Sequence, residues 1–242
     1  MIKATPISLN PSSIARTLAA IAIFLVLAST AGQLMVYLTG HERVFGLVRL
    51  FNVGTELNFP AFFSMFLLVF AAFLLAVITT LEKKRSASQL VHWRVLAFGF
   101  LLMAVDETVS LHEMLVAPTR NMLGDGNLGA FYFAWVIPGI AIVLVLALYF
   151  LKFLLQLPAK TRVTFLVAAT IYLGGAIGFE LIGGRYAELH GSNNLTYNMI
   201  STVEESLEMA GIIIFIRALL LYIAGNHKEV RFQFDGVAAA KP

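Results

Sequence analysis

Apolar residues fall in six long runs, at 17–39, 60–81, 93–117, 130–151, 163–187 and 199–223. Each approximates the ~20 residues that a helix needs to cross ~30 Å of hydrocarbon. Period-two alternation, the mark of a transmembrane barrel, is absent from them. The pattern predicts an all-α polytopic membrane protein, a bundle of six transmembrane helices with connections too short to hold a soluble domain. Between the first two runs, Val44, Phe45, Val48 and Phe51 recur at three- and four-residue spacing opposite Glu42, Arg43 and Arg49. That spacing predicts an amphipathic helix over 42–52 in the interface, as a cover for the bundle or a lid over its site. Gly124, Asp125, Gly126 and Asn127 mark a turn-rich loop, and a polar tail occupies 226–242. Lys3 and Arg16 ahead of the first run suggest a cleavable signal, but the run continues to Leu38, so a retained helix is expected.

Composition narrows the class further. The chain is 59% hydrophobic and 13% charged, with a mean hydropathy of +0.84, whereas a soluble domain carries about 25% charged residues. It has no cysteine, which excludes disulfides, thiolate metal sites and cysteine nucleophiles. The pI near 9.2 reflects membrane-flanking bases, so nucleic acid is not an expected partner. Most of the 17 basic residues would lie on one side: Lys3, Arg16, Lys83, Lys84, Arg85, Arg94, Lys152, Lys160, Arg162, Lys228, Arg231 and Lys241. Only Arg43, Arg49, Arg120 and Arg185 would lie on the other, while Arg217 is near enough to the basic end to snorkel there. By the positive-inside rule both termini are then cytoplasmic. Of the 14 acids only Glu82, Glu229 and Asp235 fall on the cytoplasmic side.

Seven of the remaining eleven acids lie well within the spans and carry the candidate chemistry. Three spans hold them: Asp106, Glu107 and Glu113, with His112, in the third; Glu180 in the fifth; Glu204, Glu205 and Glu208 in the sixth. A carboxylate at the bilayer centre costs at least ~2.5–3.5 kcal/mol, so it persists there only with partners or a function. At 1.5 Å per residue, Asp106, Glu180 and Glu208 reach similar depth from three helices. His112, Glu113, Glu204 and Glu205 would form a shallower layer, with His190 and Glu56 at the rim. Asp106 and Glu113, seven apart, are expected to share a helix face with Ser110 between them. Gly174, Gly175, Gly178, Gly183 and Gly184 near Glu180 would let helices approach closely.

So many carboxyls cannot all be ionised together in a low-dielectric cavity; they bind a cation, share protons or pair with bases. Carboxylate-rich helices with one or two histidines are how helical bundles hold di-iron or di-manganese centres. Oxygen-dominated sites with a little imidazole also suit Mn²⁺, Zn²⁺ or Ca²⁺. The expected cofactor is therefore a divalent metal, Fe, Mn or Zn, held by Asp106, Glu107, His112, Glu113, Glu180, Glu205 and Glu208, with Glu204, His190 and Glu56 as further candidates. Glu-x-x-His and His-Glu-x-x-His motifs are missing, and no mid-helix lysine could carry retinal. The similarity of 105–114 to 203–209 is too short to establish an inverted repeat.

The segment 101–116 with its Asp-Glu-x4-His-Glu, together with 178–184 and the Glu-Glu-x2-Glu of 202–211, resembles a recurrent group of uncharacterised bacterial multi-pass membrane proteins. The likeness spans roughly residues 57 to 222 and implies a bacterial inner-membrane location, with no activity attached. The leading expectation is a metalloprotein, an enzyme of hydrolase or di-iron oxidoreductase type, whose site faces the extracytoplasmic side. Its substrate would be lipid-like, entering between helices. The alternative is a proton- or cation-coupled transporter using the same carboxylates, and the third reading is a structural or assembly subunit.

Overall fold

The computed structural model describes residues 8–40, 46–83, 87–124, 126–227 and 230. They form α1 (Pro11–Thr39), α2 (Leu47–Phe51), α3 (Phe59–Glu82), α4 (Ala87–Val109), α5 (Val116–Leu123), α6 (Val136–Gln156), α7 (Ala159–Leu173), α8 (Glu180–His190) and α9 (Leu195–Asn226). A π-helical segment, Gly174–Phe179, joins α7 to α8 as one span. Six helices are therefore long and apolar enough to cross a membrane, and the described residues contain no strand.

Local chemistry sets the starts earlier than the apolar pattern alone. The Asn10 side chain accepts from the amides of Ser12 and Ser13, and Pro11 fits the first turn, so α1 begins six residues before position 17. Asn58 caps α3 through the Ala61 amide, and Asn194 caps α9 through that of Tyr197. Asn194, first residue of a glycosylation-type triplet, thus has a structural role. The fourth span starts at Val136 instead of 130, because residues Gly129–Phe131 form a 3-10 turn.

The third span departs most from expectation. The apolar run continues to position 117, but α4 stops at Val109. Ser110 takes the left-handed conformation, φ 48°, which ends an α-helix. A 3-10 turn, Glu113–Leu115, and α5 follow. Asp106 and Glu113 therefore do not share one continuous helix face. Of the interfacial helix expected over 42–52, α2 covers Leu47–Phe51; Glu42, Arg43, Val44 and Phe45 lie outside the described residues. So do Lys3, Lys84, Arg85, Asp125 and most of the tail, including Lys228, Glu229, Arg231, Asp235 and Lys241.

Successive spans alternate in direction, and contacts between their ends gather on one side the last turns of α1 and α4, the start of α8 and the first turns of α3, α6 and α9. We call this the site end. Here the segment after α2 is pinned to α1 and α9: Gln33 Nε2 donates to Asn52 Oδ1 (3.0 Å) and Thr202 Oγ1 (3.4 Å), and Ser29 Oγ accepts from the Val53 amide (3.1 Å).

The central element is α9, which packs on α1, α3, α7 and the π segment and buries Met209, Ile212, Ile216 and Leu219. Between membrane helices close packing, not the hydrophobic effect, drives association, and small residues allow it. At Gly211 a Cβ would stand 2.8 Å from the Tyr172 backbone nitrogen and 2.9 Å from Ala168 O. Glycine there brings α7 against α9 and sets Tyr172 beside the next turn, Glu208. The far end is aromatic: Trp93, wholly buried, packs edge-on to Phe153 at 4.9 Å and near Tyr222 at 5.1 Å. Glu82, also buried, accepts from the Tyr222 hydroxyl (3.1 Å) and lies 3.6 Å from His227 Nε2.

Candidate functional site

The break after α4 builds the first part of the site. Asp106, in the last turn of α4, accepts from the His112 backbone amide at 2.8 Å through Oδ1 and meets His112 Nδ1 at 2.9 Å through Oδ2. The reversal at Ser110 is what returns His112 to Asp106. Since an ionised carboxylate only accepts, the bond holds the proton on Nδ1. The imidazole ring lies 4.6 Å from that of Trp135. Burial opposes protonation of His112, but the hydrogen bond and charge of Asp106, reinforced by Glu113 and Glu180, outweigh it and raise the pKa above the ordinary 6.5. Nε2 makes no hydrogen bond among the described residues.

The second part is Glu180, placed at the end of the π segment. Trp135 Nε1, at the head of α6, donates to Glu180 Oε1 at 2.8 Å. The carboxyls of Glu180 and Glu204 lie within hydrogen-bond reach of each other, with Glu113, His112 and the Tyr197 hydroxyl alongside. Two carboxylates at that range require a shared proton or a cation between them. The approach depends on Gly175, where a Cβ would stand 2.7 Å from Glu204 O and 3.0 Å from Glu208 Cγ. The π segment adds the turn that aims Gly175 at α9 and Glu180 at Trp135, a use common for π-bulges at functional sites.

Deeper in the bundle, Glu208 faces the Tyr172 hydroxyl and neighbours Glu107, Glu180 and His112. Glu205 lies within electrostatic range of Glu107, Glu180 and Glu208, and Glu107 within that of Asp106, His112 and Glu56. The structure thus unites Asp106, Glu107, His112, Glu113, Glu180, Glu204, Glu205 and Glu208 in one cluster, with exposed Glu56 at its edge. His190 falls outside it: at the exposed end of α8 it stacks on Tyr186, ring centroids 4.6 Å apart. Among the described residues no group of three His, Asp or Glu stands in a geometry that could hold a metal ion. The side chains are arranged instead as pairs.

Arg120 and Arg185, expected on the same side as the acids, are engaged elsewhere. Arg120 donates to Tyr132 O (2.6 Å) and covers the Tyr132 ring, while Arg185 pairs with Glu188 (3.4 Å). Among the described residues no Lys or Arg forms an ion pair with the cluster; the ion pair there is His112 with Asp106. Of the glycines expected around Glu180, Gly175 and Gly184 make close approaches, the latter 2.9 Å from Ala130 O, whereas Gly174 and Gly178 face open space. Trp135, Tyr172 and Tyr197 were not legible in the sequence as site residues. Trp135 and Tyr172 sit in apolar stretches where an aromatic residue reads as core, and Tyr197 in the polar stretch 192–198 ahead of the sixth run.

Fold and site together define a polytopic membrane protein with a carboxyl–histidine cluster at one end of its bundle. Residues 17–223 match the family DUF8692, a domain of unknown function, and the chain belongs to that family. Neither a curated protein nor a solved structure matches it.

Proposed function

We propose that this protein is a bacterial inner-membrane metalloenzyme, its site open to the extracytoplasmic face and its substrate lipid-like. The Asp106–His112 pair carries the reading. A carboxylate on Nδ1 that leaves Nε2 for a metal or a proton is the arrangement of metal-binding and of general-base histidines alike. Beside it, the Glu180–Glu204 pair would supply two oxygen ligands, and Glu208, one turn from Glu204, a third after a change of rotamer. The metal would polarise a carbonyl or activate water for hydrolysis or, if iron, activate oxygen. The chain's own residues would orient His112 through Asp106 and Glu180 through Trp135. Glu107, Glu113 and Glu205 would hold protons around the centre. The Lys/Arg asymmetry supports the orientation, and the far half of α9, which holds no acid and Arg217 as its one charge, supports a one-sided site.

Metal analysis of detergent-solubilised protein purified without chelator tests this. We expect about one Mn, Zn or Fe per chain, lost in His112→Ala and in Glu180→Gln/Glu204→Gln. Substoichiometric metal that those variants leave unchanged would overturn it. Proton-driven uptake into proteoliposomes would replace the enzyme by a coupled transporter, a reading to which the glycine-rich π segment lends support as a hinge.

A further inference from the structure

Next to the carboxyl cluster, the site end holds a second polar node, built of neutral side chains. Gln33, on α1 and 5% exposed, turns Nε2 into a group of three side-chain oxygens. These are Asn52 Oδ1 at 3.0 Å, Ser29 Oγ at 3.1 Å and Thr202 Oγ1 at 3.4 Å. An amide nitrogen carries two hydrogens, so one of the three oxygens receives none. At the other end of the same amide, Oε1 is buried and accepts no hydrogen bond among the described residues. A buried acceptor left unpaired is costly and calls for a cause.

The oxygens are fixed from outside the node. Ser29 Oγ accepts from the Val53 amide (3.1 Å) and Asn52 Oδ1 from the Gly54 amide (3.1 Å), while Thr202 Oγ1 gives its hydrogen to Asn198 O (2.7 Å). From Asn52 and Thr202, therefore, lone pairs and not hydrogens face the centre. Ser29 and Thr202 are themselves buried.

We propose that this node is a sodium site, formed when the Gln33 amide turns about its last torsion and Oε1 takes the place of Nε2. The ligands are then Gln33 Oε1, Ser29 Oγ, Asn52 Oδ1 and Thr202 Oγ1. The turn deprives Oε1 of no partner. Hard cations take oxygen ligands, and Na⁺, similar in size to Ca²⁺, holds them at about 2.4 Å, which sets neighbouring oxygens of an octahedral shell about 3.4 Å apart. The spacings around the Gln33 amide, 3.0, 3.1 and 3.4 Å, are already close to that. Four neutral oxygens do not offset the dehydration of a divalent ion, and K⁺ needs a wider shell. The carboxyls add attraction, since Thr202 precedes Glu205 by three residues, about one turn of α9. Sodium bound there ties α1, α9 and the segment after α2 together beside the cluster. The proposal is independent of the divalent-metal reading.

Thermal unfolding of the detergent-solubilised protein tests it, in the presence of chelator and at constant ionic strength, with NaCl replaced stepwise by KCl or choline chloride. Sodium should raise the midpoint saturably, and the other two salts should not. Thr202→Val should raise the half-saturating concentration roughly tenfold, and Gln33→Leu should remove the shift. Gln33→Glu separates ligation from hydrogen bonding. A carboxylate cannot donate, yet it supplies the fourth ligand with added charge, so sodium should act at a lower concentration than in wild type. Glu180→Gln/Glu204→Gln should keep the sodium shift. Equal midpoints in the three salts overturn the proposal, as does a sodium dependence unchanged in Thr202→Val or absent from Gln33→Glu. A shift lost in Glu180→Gln/Glu204→Gln places the sodium among the carboxyls and likewise overturns it.

Discussion

Replacing Gly175 with alanine puts a methyl group 2.7 Å from Glu204 O, 3.1 Å from Leu207 Cβ and 3.0 Å from Glu208 Cγ. The first neighbour is backbone of the central helix and cannot turn aside, so the π segment and α9 must separate. Overpacking of this kind costs about 1–3 kcal/mol, and a backbone clash belongs at the upper end. Gly178→Ala, three residues on in the same segment, is the internal control. Its Cβ meets nothing within 4 Å, and the lower backbone entropy of alanine should make it neutral or stabilising by about 0.5–1 kcal/mol. Because both sites share one local conformation, the difference, roughly 3 kcal/mol, isolates the contact with α9. Equilibrium unfolding in mixed detergent micelles measures it. Because Gly175 sets the distance between Glu180 and Glu204, Gly175→Ala should also weaken metal binding while Gly178→Ala leaves it unchanged. Equal effects of the two substitutions on stability would refute the claim that Gly175 positions the acid pair.

Asp106→Ala removes both the amide cap and the imidazole partner of His112; at a half-exposed site we expect a loss of about 1–2 kcal/mol, read as a lower unfolding midpoint, and no change would show the bonds to be incidental. The His112 pKa is raised in the fold, so the stabilisation it gives is complete below the ordinary value of 6.5 and fades as pH rises through the folded value. The stability gap between wild type and His112→Ala should therefore shrink with rising pH, and a gap that widens would contradict this sign. Ser110→Gly relieves a left-handed φ of 48° and should stabilise the α4 terminus by up to about 1 kcal/mol, seen as slower hydrogen exchange at residues 108–113; faster exchange would mean that the serine side chain is needed. Metal binding to carboxyls that hold protons must release them, so Mn²⁺ or Zn²⁺ should raise the melting temperature near pH 7.5 and barely near pH 5. Glu208→Gln should abolish the rise and Glu188→Gln, outside the cluster, should not.

The six spans were legible because membrane helices must be continuously apolar, whatever packs against them. The end of α4 was not. Leu111, Met114 and Leu115 prolong the apolar run, and nothing in composition marks Ser110 as left-handed or Asp106 as the acceptor that turns the chain. The acids were legible for the opposite reason: Asp106, Glu180 and Glu208 stand out against hydrocarbon, but the two layers expected from helical rise do not hold, since Asp106 meets His112 and Glu205 lies with Glu208. Their pairing was not, since Glu180 meets Glu204 through a π-helical turn that a regular helix does not contain. The sequence ranked His112 ahead of His190, and the structure shows the difference: His112, beyond the end of α4, is fixed by Asp106, whereas His190, the last residue of α8, stacks on Tyr186. Tyr172 and Trp135 were hidden because an aromatic residue that serves an acid and one that fills a core look the same in a single sequence.

The central claim is that the paired carboxyls exchange protons for a divalent cation. Isothermal titration of Mn²⁺ or Zn²⁺ into the detergent-solubilised protein, repeated in two buffers of different ionisation enthalpy, counts the protons released per ion bound. We predict about one or more per ion at neutral pH, falling to none with loss of binding in Glu180→Gln/Glu204→Gln. Binding without proton release, or release that the double variant leaves intact, would contradict the account.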